Sequence, residues 1–501
     1  MRRIPANIHP FLFAIFPILA LRNYNIIYVD FASIARSLIL SLVLTGLLWS
    51  LLKAVIRDGD KAGLITTLAV ILFFSYGHAY LQIELASEEA IQHRYLLAIF
   101  GIVFVILSAV ILRLRDIFGI KQFVTVVGAV MIVFAVVQSV SYDISRYQAN
   151  AQATGGLEPI AKPNHTKSEM ELPDVYLIIL DAHTRSDVLK ENYDYDNSEF
   201  IQGLKEMGFY VAECSQSNYP VTRYSLTSLL YADYLQNFTD MPAMPDMGGS
   251  TIHQALQSLG YTTVAFENRT SGHYDLNEDI RLSRNQLAFG VDLGGGPNEF
   301  EAELFQTTFL KFFYDLPQLI PGFDPDRLEQ TEYREHFLQM HYILDELDQV
   351  PAMEGPKFVF VHILVPHPPF IFSPNGEFHP TGDQISGYRD NVQFVESQIL
   401  PSLKEIIAQS KVPPIIIVQG DHGPIGKKVT REMRMSILNA YYVNEETKAS
   451  LYGTITPVNS FRVILDHYFG YDLPLLEDSS YYVLGSTELT PDSIVPNNCT
   501  K

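Results

Sequence analysis

The sequence has little positive charge outside its first third. Subtracting the 12 basic and 8 acidic side chains of residues 1–150 from totals of 35 and 56 leaves 23 and 48 in residues 151–501. This stretch therefore has a net charge of −25, which excludes a nucleic-acid binder. Cysteine is also scarce. Cys214 and Cys499 could pair in an oxidising compartment, but the sequence does not decide this.

The first 141 residues contain few polar stretches. Four apolar runs there are long enough, or nearly so, to cross a bilayer: Phe31–Ile56, Gly63–Leu81, Tyr95–Leu112 and Ile120–Val140. A fifth run, Phe11–Leu21, is short, contains Pro17, and spans only if its helix continues into the polar residues that follow. No run of charged residues inside these segments marks an ion path, which argues against a transporter. We predict a transmembrane domain of four or five helices over 1–141 and a linker over 142–172.

The loops between the apolar runs predict how the chain is oriented. Lys53–Lys61 and Arg113–Lys121 are rich in basic residues, whereas Gln82–Arg94 between them is mostly acidic. Because basic loops stay in the cytoplasm, the part of the chain after Val140 is predicted to lie outside it, attached to the plasma or inner membrane. A cleaved signal peptide is the alternative for the first run, although no small-residue cleavage site follows it.

From residue 173 onwards, apolar strands alternate with amphipathic helices. The predicted strands are "DVYLIIL", "FYVAE", "YTTVAFE", "KFVFVHIL", "PPIIIVQG" and "NAYYVN", and the predicted helices are "DNSEFIQGLKEMG", "STIHQALQSLG" and "QTEYREHFLQMHYILDELDQV". This alternation predicts an α/β fold with a mostly parallel central sheet flanked by helices. Functional groups in such sheets gather at the carboxyl ends of the strands.

Polar side chains stand at three of these strand ends. Asp181 follows the first strand, Asp421 and His422 follow "PPIIIVQG", and His367 follows the strand that contains His362. Carboxylate and imidazole groups together suit one divalent metal ion, whether Zn²⁺, Mn²⁺ or Mg²⁺. Each residue also has a plain structural interpretation, since Asp181 could cap a helix, Asp421 could belong to a turn and His367 to a structural loop.

A nucleophile is available in "SNYPVTRYSLTSLL", where a loop leads into a predicted helix. Thr222 lies near the helix start, and Ser225, Thr227 and Ser228 lie further in. A hydroxyl at a helix N-terminus faces free backbone N–H groups, which suits an anionic substrate. The structural alternative is that Thr222 only caps the helix.

In this order, "YLIILDAHTRSD", "NYPVTRYSLTSLL", "HILVPHPPF" and "VQGDHGP" resemble the sulfatase-like branch of the alkaline phosphatase superfamily over residues 172–445. Apolar helices followed by such a domain are similar to lipoteichoic acid synthases and phosphoethanolamine transferases. The resemblance implies a sulfatase-like catalytic domain over 173–501. It also implies Asp181, Thr222, Asp421 and His422 as metal ligands, with Thr222 as the nucleophile.

The sequence departs from true sulfatases at the nucleophile. Their motif is C/S-x-P-S-R, whereas residues 222–226 are "TRYSL", and threonine cannot become formylglycine. The resemblance therefore implies a transferase that moves a phospho-alcohol group from a lipid-borne phosphodiester to an envelope lipid or glycan. A sulfate or phosphate ester hydrolase, and a non-catalytic relative that binds a glycan or headgroup, are the alternatives.

The expected mechanism uses one divalent ion, bound by Asp181, Asp421 and His422, to lower the pKa of Thr222. His367 would protonate the leaving oxygen and then deprotonate the acceptor. The candidates for binding the substrate are Arg185, His183, His362, Arg269 and His273.

Overall fold

The computed structural model describes residues 7–26, 29, 31–87, 93–156, 172–237, 246–268, 276–284, 299–314, 326–484 and 491–499. The helices are α1 (His9–Tyr24), α2 (Phe31–Ile56), α3 (Gly59–Ser87), α4 (His93–Arg113), α5 (Phe118–Gly156), α6 (Ser186–Tyr193), α7 (Ser198–Glu206), α8 (Thr222–Tyr231), α9 (Thr251–Ser258), α10 (Glu299–Thr307), α11 (Leu310–Tyr314), α12 (Asp326–Leu347), α13 (Gln384–Gln409), α14 (Arg431–Met435), α15 (Glu445–Lys448) and α16 (Pro457–Phe469). The strands are β1 (Val175–Leu180), β2 (Tyr210–Val211), β3 (Thr262–Phe266), β4 (Ile280–Leu282), β5 (Lys357–Ile363), β6 (Phe370–Phe372), β7 (Phe378–Thr381), β8 (Ile415–Gln419) and β9 (Asn439–Tyr442).

The chain divides into two compact units. The first comprises residues 1–143, 270–273 and 287–332, and the second comprises residues 144–269, 274–286 and 333–501. The predicted division did not anticipate that a segment between β4 and α12 groups with the N-terminal helices. The predicted linker also begins as a helix, because α5 continues to Gly156.

Four helices of the first unit are long and apolar enough to cross a membrane: Ser33–Ile56, Gly59–Ile83, His93–Arg113 and Phe118–Ser145. Apolar side chains on their surfaces remain exposed, as contact with lipid requires, and Ile102 and Val133 are examples at 58% and 61% exposure. Helix α1 covers the fifth apolar run but has 16 residues and contains Pro17. The protein is a membrane protein, and its orientation in the membrane remains a prediction.

The second unit is built on a seven-stranded sheet in the order β2-β9-β8-β1-β5-β3-β4. The pairs β1–β5, β1–β8, β3–β5 and β3–β4 are parallel, and β8–β9 and β2–β9 are antiparallel. A second sheet pairs β6 with β7. The prediction of a mostly parallel sheet in an α/β fold is confirmed.

Strand β1 lies in the interior of the sheet and is buried on both faces. Leu177 and Ile179 pack into one hydrophobic cluster, while Tyr176, Ile178 and Leu180 pack into a second cluster. Because successive side chains of a strand point to opposite faces, an apolar run without alternation fills both layers. The functional residues can therefore leave the sheet only where the strands end.

A disulfide joins Cys214 to Cys499, with 5.5 Å between their Cα atoms. The bond links the residues that follow β2 to the C-terminal residues, across 285 positions of sequence. The sequence had left this pairing open.

Candidate metal centre and nucleophile

Two neighbouring parallel strands bring Asp181 and Asp421 to one edge of the sheet. Strand β1 pairs with β8 so that Ile179 lies opposite Gln419, and each aspartate follows within two residues. Asp181, Asp421 and His422 are buried, and the ligand atoms of the three lie within 4.8 Å of one another. Within the described ranges this is the single group of three or more such residues that could hold a metal ion.

Hydrogen bonds and close backbone contacts fix the chain around these residues. Ala182 has a φ of 66°, a left-handed conformation that costs a residue with a side chain about 1 kcal/mol. Its N–H donates to Asp421 Oδ1 at 3.0 Å, and the Tyr388 hydroxyl donates to its carbonyl at 2.7 Å. At Gly423, a Cβ atom would lie 2.0 Å from the carbonyl oxygen of Met433, so only glycine fits. These contacts determine where the carboxylates lie.

His422 is held in the tautomer that a metal ligand needs. Its Nδ1 lies 2.9 Å from the carbonyl oxygen of Gly423, which can only accept, so Nδ1 carries the proton and donates. The lone pair of the neutral ring is then on Nε2. Burial, reinforced by the charge of Arg434, lowers the pKa of His422 to about 4.

One oxygen atom of each carboxylate lies near His422 Nε2. Asp181 Oδ1 and Asp421 Oδ2 are buried without a hydrogen-bond partner among the described residues. They lie 3.7 Å and 3.3 Å from His422 Nε2. Burial alone would raise the pKa of Asp181, but His367, His362 and His422 hold it below its ordinary value. Two buried carboxylate oxygens without hydrogen-bond partners among the described residues, beside an imidazole nitrogen that carries a lone pair, fit a divalent cation.

Thr222 lies beside this group. It is the first residue of α8 and is half-exposed, and its Oγ1 lies 3.1 Å from His422 Nε2. The cap residue of α8 is Val221, so Thr222 is not an N-cap, which was the structural alternative. The other hydroxyls are less available, because Ser225 and Ser228 are buried and bonded to Ser217 and Asp233.

The two predicted histidines on and after β5 are both near Asp181. His362 is buried, and its ring nitrogens lie 3.1 Å from Asp181 Oδ2 and 3.0 Å from Asn268 Nδ2. His367 is half-exposed, and its backbone N–H donates to the Asp181 carbonyl at 3.0 Å. The ring of His367 lies 6.4 Å from that of His422, and its Nδ1 donates to the Pro368 carbonyl at 2.6 Å. The neutral His367 ring therefore has its lone pair on Nε2.

The remaining predicted substrate contacts have other partners or lie outside the described residues. His183 is fully buried, and its Nε2 lies 3.2 Å from Glu396 Oε1. Arg185 donates to both carboxylate oxygens of Asp187, at 3.0 Å and 2.8 Å, and to the carbonyl of Ser215 at 3.4 Å. Arg269 and His273 fall outside the described residues. A role of these four residues in binding substrate stays a prediction.

Two residues near the site were not foreseen. Arg434, in α14, donates to the carbonyls of Pro220, Gly423 and Pro424, which precede Thr222 and follow His422. His336, in α12, is buried, and burial together with the charge of His367 lowers its pKa to about 4. Neither follows a strand, so the strand-end pattern gave no signal for them.

Comparison with known proteins gives one conclusive match. Similar solved structures include the C-terminal periplasmic domain of EcEptC from Escherichia coli (13% identity, 68% of this chain and 96% of that one, TM-score 0.45). Another is the integral membrane lipooligosaccharide phosphoethanolamine transferase A from Neisseria meningitidis (11% identity, 92% and 95%, TM-score 0.38). At these values the likenesses do not determine activity or substrate, and no curated protein matches. The family model that describes sulfatases matches residues 173–458, more than half of the sequence, and the chain therefore belongs to the sulfatase family.

Proposed function

We propose that this membrane protein is a metal-dependent transferase with a threonine nucleophile. It moves a phospho-alcohol group from a lipid-borne phosphodiester to an envelope lipid or glycan outside the cytoplasm. The observation that carries the proposal is the position of Thr222, whose half-exposed hydroxyl lies 3.1 Å from His422 Nε2, beside two buried carboxylates. Helices able to cross a membrane in the same chain support a lipid donor.

Asp181, Asp421 and His422 would hold the cation, with Thr222 Oγ1 completing the set. Two carboxylates, an imidazole and a hydroxyl accommodate Zn²⁺, Mn²⁺ or Mg²⁺. When bound, such an ion supplies positive charge that favours the ionised form of a neighbouring hydroxyl.

In the first half-reaction, the Thr222 oxygen attacks the phosphorus of the donor, and the bond from phosphorus to the lipid oxygen breaks. His367, with its Nε2 protonated, gives that proton to the leaving oxygen. In the second half-reaction, His367 takes a proton from the acceptor hydroxyl, which attacks the phosphothreonine ester and releases Thr222. One proton thus passes from acceptor to leaving alcohol, and both residues return to their starting states.

His362 positions Asp181 in this scheme. Its ring lies between Asp181 Oδ2 and the Asn268 amide, at 3.1 Å and 3.0 Å. A histidine held on both sides in this way fixes the orientation of the carboxylate.

The test is ester cleavage by the full-length protein in detergent. The substrates are a chromogenic phosphodiester, phosphomonoester and sulfate ester, each with Zn²⁺, Mn²⁺ or a chelator. Thr222→Val removes the hydroxyl and keeps the branched shape. Thr227→Val, on the same helix, is the matched control, because the Thr227 hydroxyl is buried without a hydrogen-bond partner among the described residues.

We expect metal-dependent cleavage of the phosphodiester that disappears in Thr222→Val and persists in Thr227→Val. Preference for the sulfate ester would replace the transferase with a sulfate ester hydrolase. Full activity of Thr222→Val would refute the nucleophile. Metal binding without cleavage of any ester would favour a relative that binds a headgroup or glycan without turnover.

A further inference from the structure

The C-terminal residues return to the segment that precedes the proposed nucleophile. Residues 477–483 and 491–499, here called the C-terminal strap, contact residues 214–219, which lie shortly before α8. The backbone N–H of Tyr481 in the strap donates to the Asn218 carbonyl at 2.9 Å. The approach to the nucleophile is therefore built from two segments that lie far apart in the sequence.

Side chains also attach the strap to this segment. Asn218 Nδ2 donates to the Ser479 carbonyl at 2.9 Å, and the Tyr219 ring stacks on the Tyr481 ring with 5.9 Å between their centres. The disulfide at Cys214 fixes the end of the segment that is farther from the nucleophile. The strap thus holds the segment by covalent, polar and aromatic contacts.

Ser217, in the middle of this segment, contacts both parts of the proposed site. Its side chain is buried, and its hydroxyl oxygen lies 2.5 Å from the backbone carbonyl oxygen of Asp421 and 2.7 Å from that of Tyr219. The same oxygen lies 3.1 Å from the hydroxyl of Ser225, one turn along α8 from Thr222. A carbonyl only accepts, whereas a serine hydroxyl both donates and accepts. Ser217 can therefore join a proposed metal ligand to the helix that carries the proposed nucleophile.

Ser480 of the strap holds Ser217 in place. The Ser480 hydroxyl is buried and donates to the Ser217 carbonyl at 2.8 Å. The backbone N–H of Val495 donates to the Ser480 carbonyl at 2.9 Å, so both parts of the strap support this contact. The N–H of Ser217 donates to the Met435 carbonyl at 2.7 Å. Because both backbone groups of Ser217 are bonded, its hydroxyl has little freedom to move relative to Asp421.

We propose that Ser217 and Ser480 are positioning residues, with Ser480 acting through Ser217 on the distance between Asp421 and Thr222. The inference rests on the proposed function for its effect on turnover, whereas its effect on metal binding requires only that Asp421 is a ligand. A displacement of about 1 Å between reacting groups costs about 100-fold in rate. Loss of either serine hydroxyl should therefore lower kcat while KM changes little, because the substrate contacts themselves remain.

The experiment compares serine-to-alanine variants of the full-length protein in detergent. The probes are Zn²⁺ alone, titrated by calorimetry, and the chromogenic phosphodiester with Zn²⁺. Ser217→Ala is expected to lower kcat about 100-fold and Ser480→Ala about tenfold, with KM within about threefold of the wild type. Both variants should bind Zn²⁺ about tenfold more weakly, because a residue that orients a metal ligand is lost. Ser460→Ala is the matched control, because the Ser460 hydroxyl in α16 is also buried and lies 2.7 Å from the Tyr441 hydroxyl.

The double variant tests whether Ser480 acts through Ser217. If it does, adding Ser480→Ala to Ser217→Ala should lower kcat by less than about twofold, because the contact that Ser480 supports is already lost. A further loss of about tenfold would show that the two serines act independently and would overturn the inference. Elution as a single monodisperse peak shows which variants remain folded. If Ser217→Ala does not fold, Ser480→Ala compared with Ser460→Ala still tests the inference.

Two other outcomes would also overturn the inference. Ser480→Ala could match Ser460→Ala in both kcat and Zn²⁺ affinity, which would make the strap a structural element only, even with Thr222-dependent cleavage. A loss that appears in KM rather than in kcat would place Ser480 in substrate binding. By contrast, if no ester is cleaved but Ser217→Ala and Ser480→Ala lose Zn²⁺ affinity, the proposed transferase fails and the positioning of Asp421 stands.

Discussion

Arg434 connects the chain segment that carries the proposed nucleophile with the segment that carries two of the three proposed metal ligands. Its Nε donates to the Pro220 carbonyl at 2.8 Å, two residues before Thr222. Its Nη1 donates to the carbonyls of Gly423 and Pro424, at 3.1 Å and 3.3 Å. The guanidinium thus connects the approach to α8 with the turn after β8, and we expect it to maintain the distance between Thr222 and His422.

The effect of Arg434→Met follows from these contacts. Hydrogen bonds from a charged donor contribute roughly 1.5–3 kcal/mol each, but three on one group are not additive. We expect a loss of about 2–4 kcal/mol in the free energy of unfolding. A shift of about 1 Å between reacting groups costs about 100-fold in rate, so kcat/KM for phosphodiester cleavage should fall by about that factor.

Arg431→Met is the matched control, because Arg431 lies in the same short helix and donates to the Asp492 carbonyl at 2.8 Å, on the surface. The assay is kcat/KM with the chromogenic phosphodiester at saturating metal, beside a urea denaturation of each variant. If Arg434→Met lost stability but kept kcat/KM within a factor of three of Arg431→Met, Arg434 would be a structural residue without influence on the nucleophile.

Three further predictions concern the same unit. Zn²⁺ or Mn²⁺ should raise the thermal unfolding midpoint of the wild type but barely change the midpoint of Asp421→Asn, because a ligand stabilises only the state that binds it. An equal rise of the midpoint in both proteins would show that the proposed ligand set is wrong. Reduction of the disulfide should lower the free energy of unfolding of the wild type by roughly 5 kcal/mol, given a loop of 285 positions. The same treatment should not affect a variant in which Cys214 and Cys499 are both replaced by alanine. An equal response of both proteins to the reductant would show that the disulfide is absent. Unfolded chains bind a proton at His336 near its ordinary pKa of 6.5, but the folded protein does so only near 4, so stability is lost as pH falls between these values. From pH 7 to pH 4 the wild type should lose up to about 3 kcal/mol more than His336→Gln in urea denaturation, and identical losses would contradict a buried neutral ring.

Much of the site could be predicted because it depends on short-range patterns. An apolar run without alternation predicts a buried parallel strand, and the residue that follows this strand must lie at the carboxyl edge of the sheet. Asp181, Asp421 and His422 each follow such a run within three positions. The pairing of β1 with β8 then brings these residues together without any further information.

The supporting contacts could not be predicted, because they join positions that lie far apart in the sequence. Arg434 donates to the Pro220 carbonyl across 214 positions. Because every residue has a backbone carbonyl, the sequence does not show which one accepts the hydrogen bond. The Asn268 side chain contacts His362 across 94 positions. Arg36 and Glu301 form a pair across 265 positions. Nothing in the local pattern around Glu301 indicates that it packs with the membrane helices.

The identity of the proposed nucleophile, Thr222, limits which chemistry this member of the family can carry out. Residues 222–226, "TRYSL", lack the residues that guide conversion to formylglycine. The proposed intermediate is therefore a threonine ester, which only attack at the transferred group can resolve. In the proposed mechanism the threonine ester survives until a second alcohol arrives, and His367, half-exposed with its lone pair on Nε2, would take that alcohol's proton. A threonine in this position favours transfer over hydrolysis only where water reaches the ester less readily than the acceptor does. An acceptor held at a membrane surface satisfies that condition.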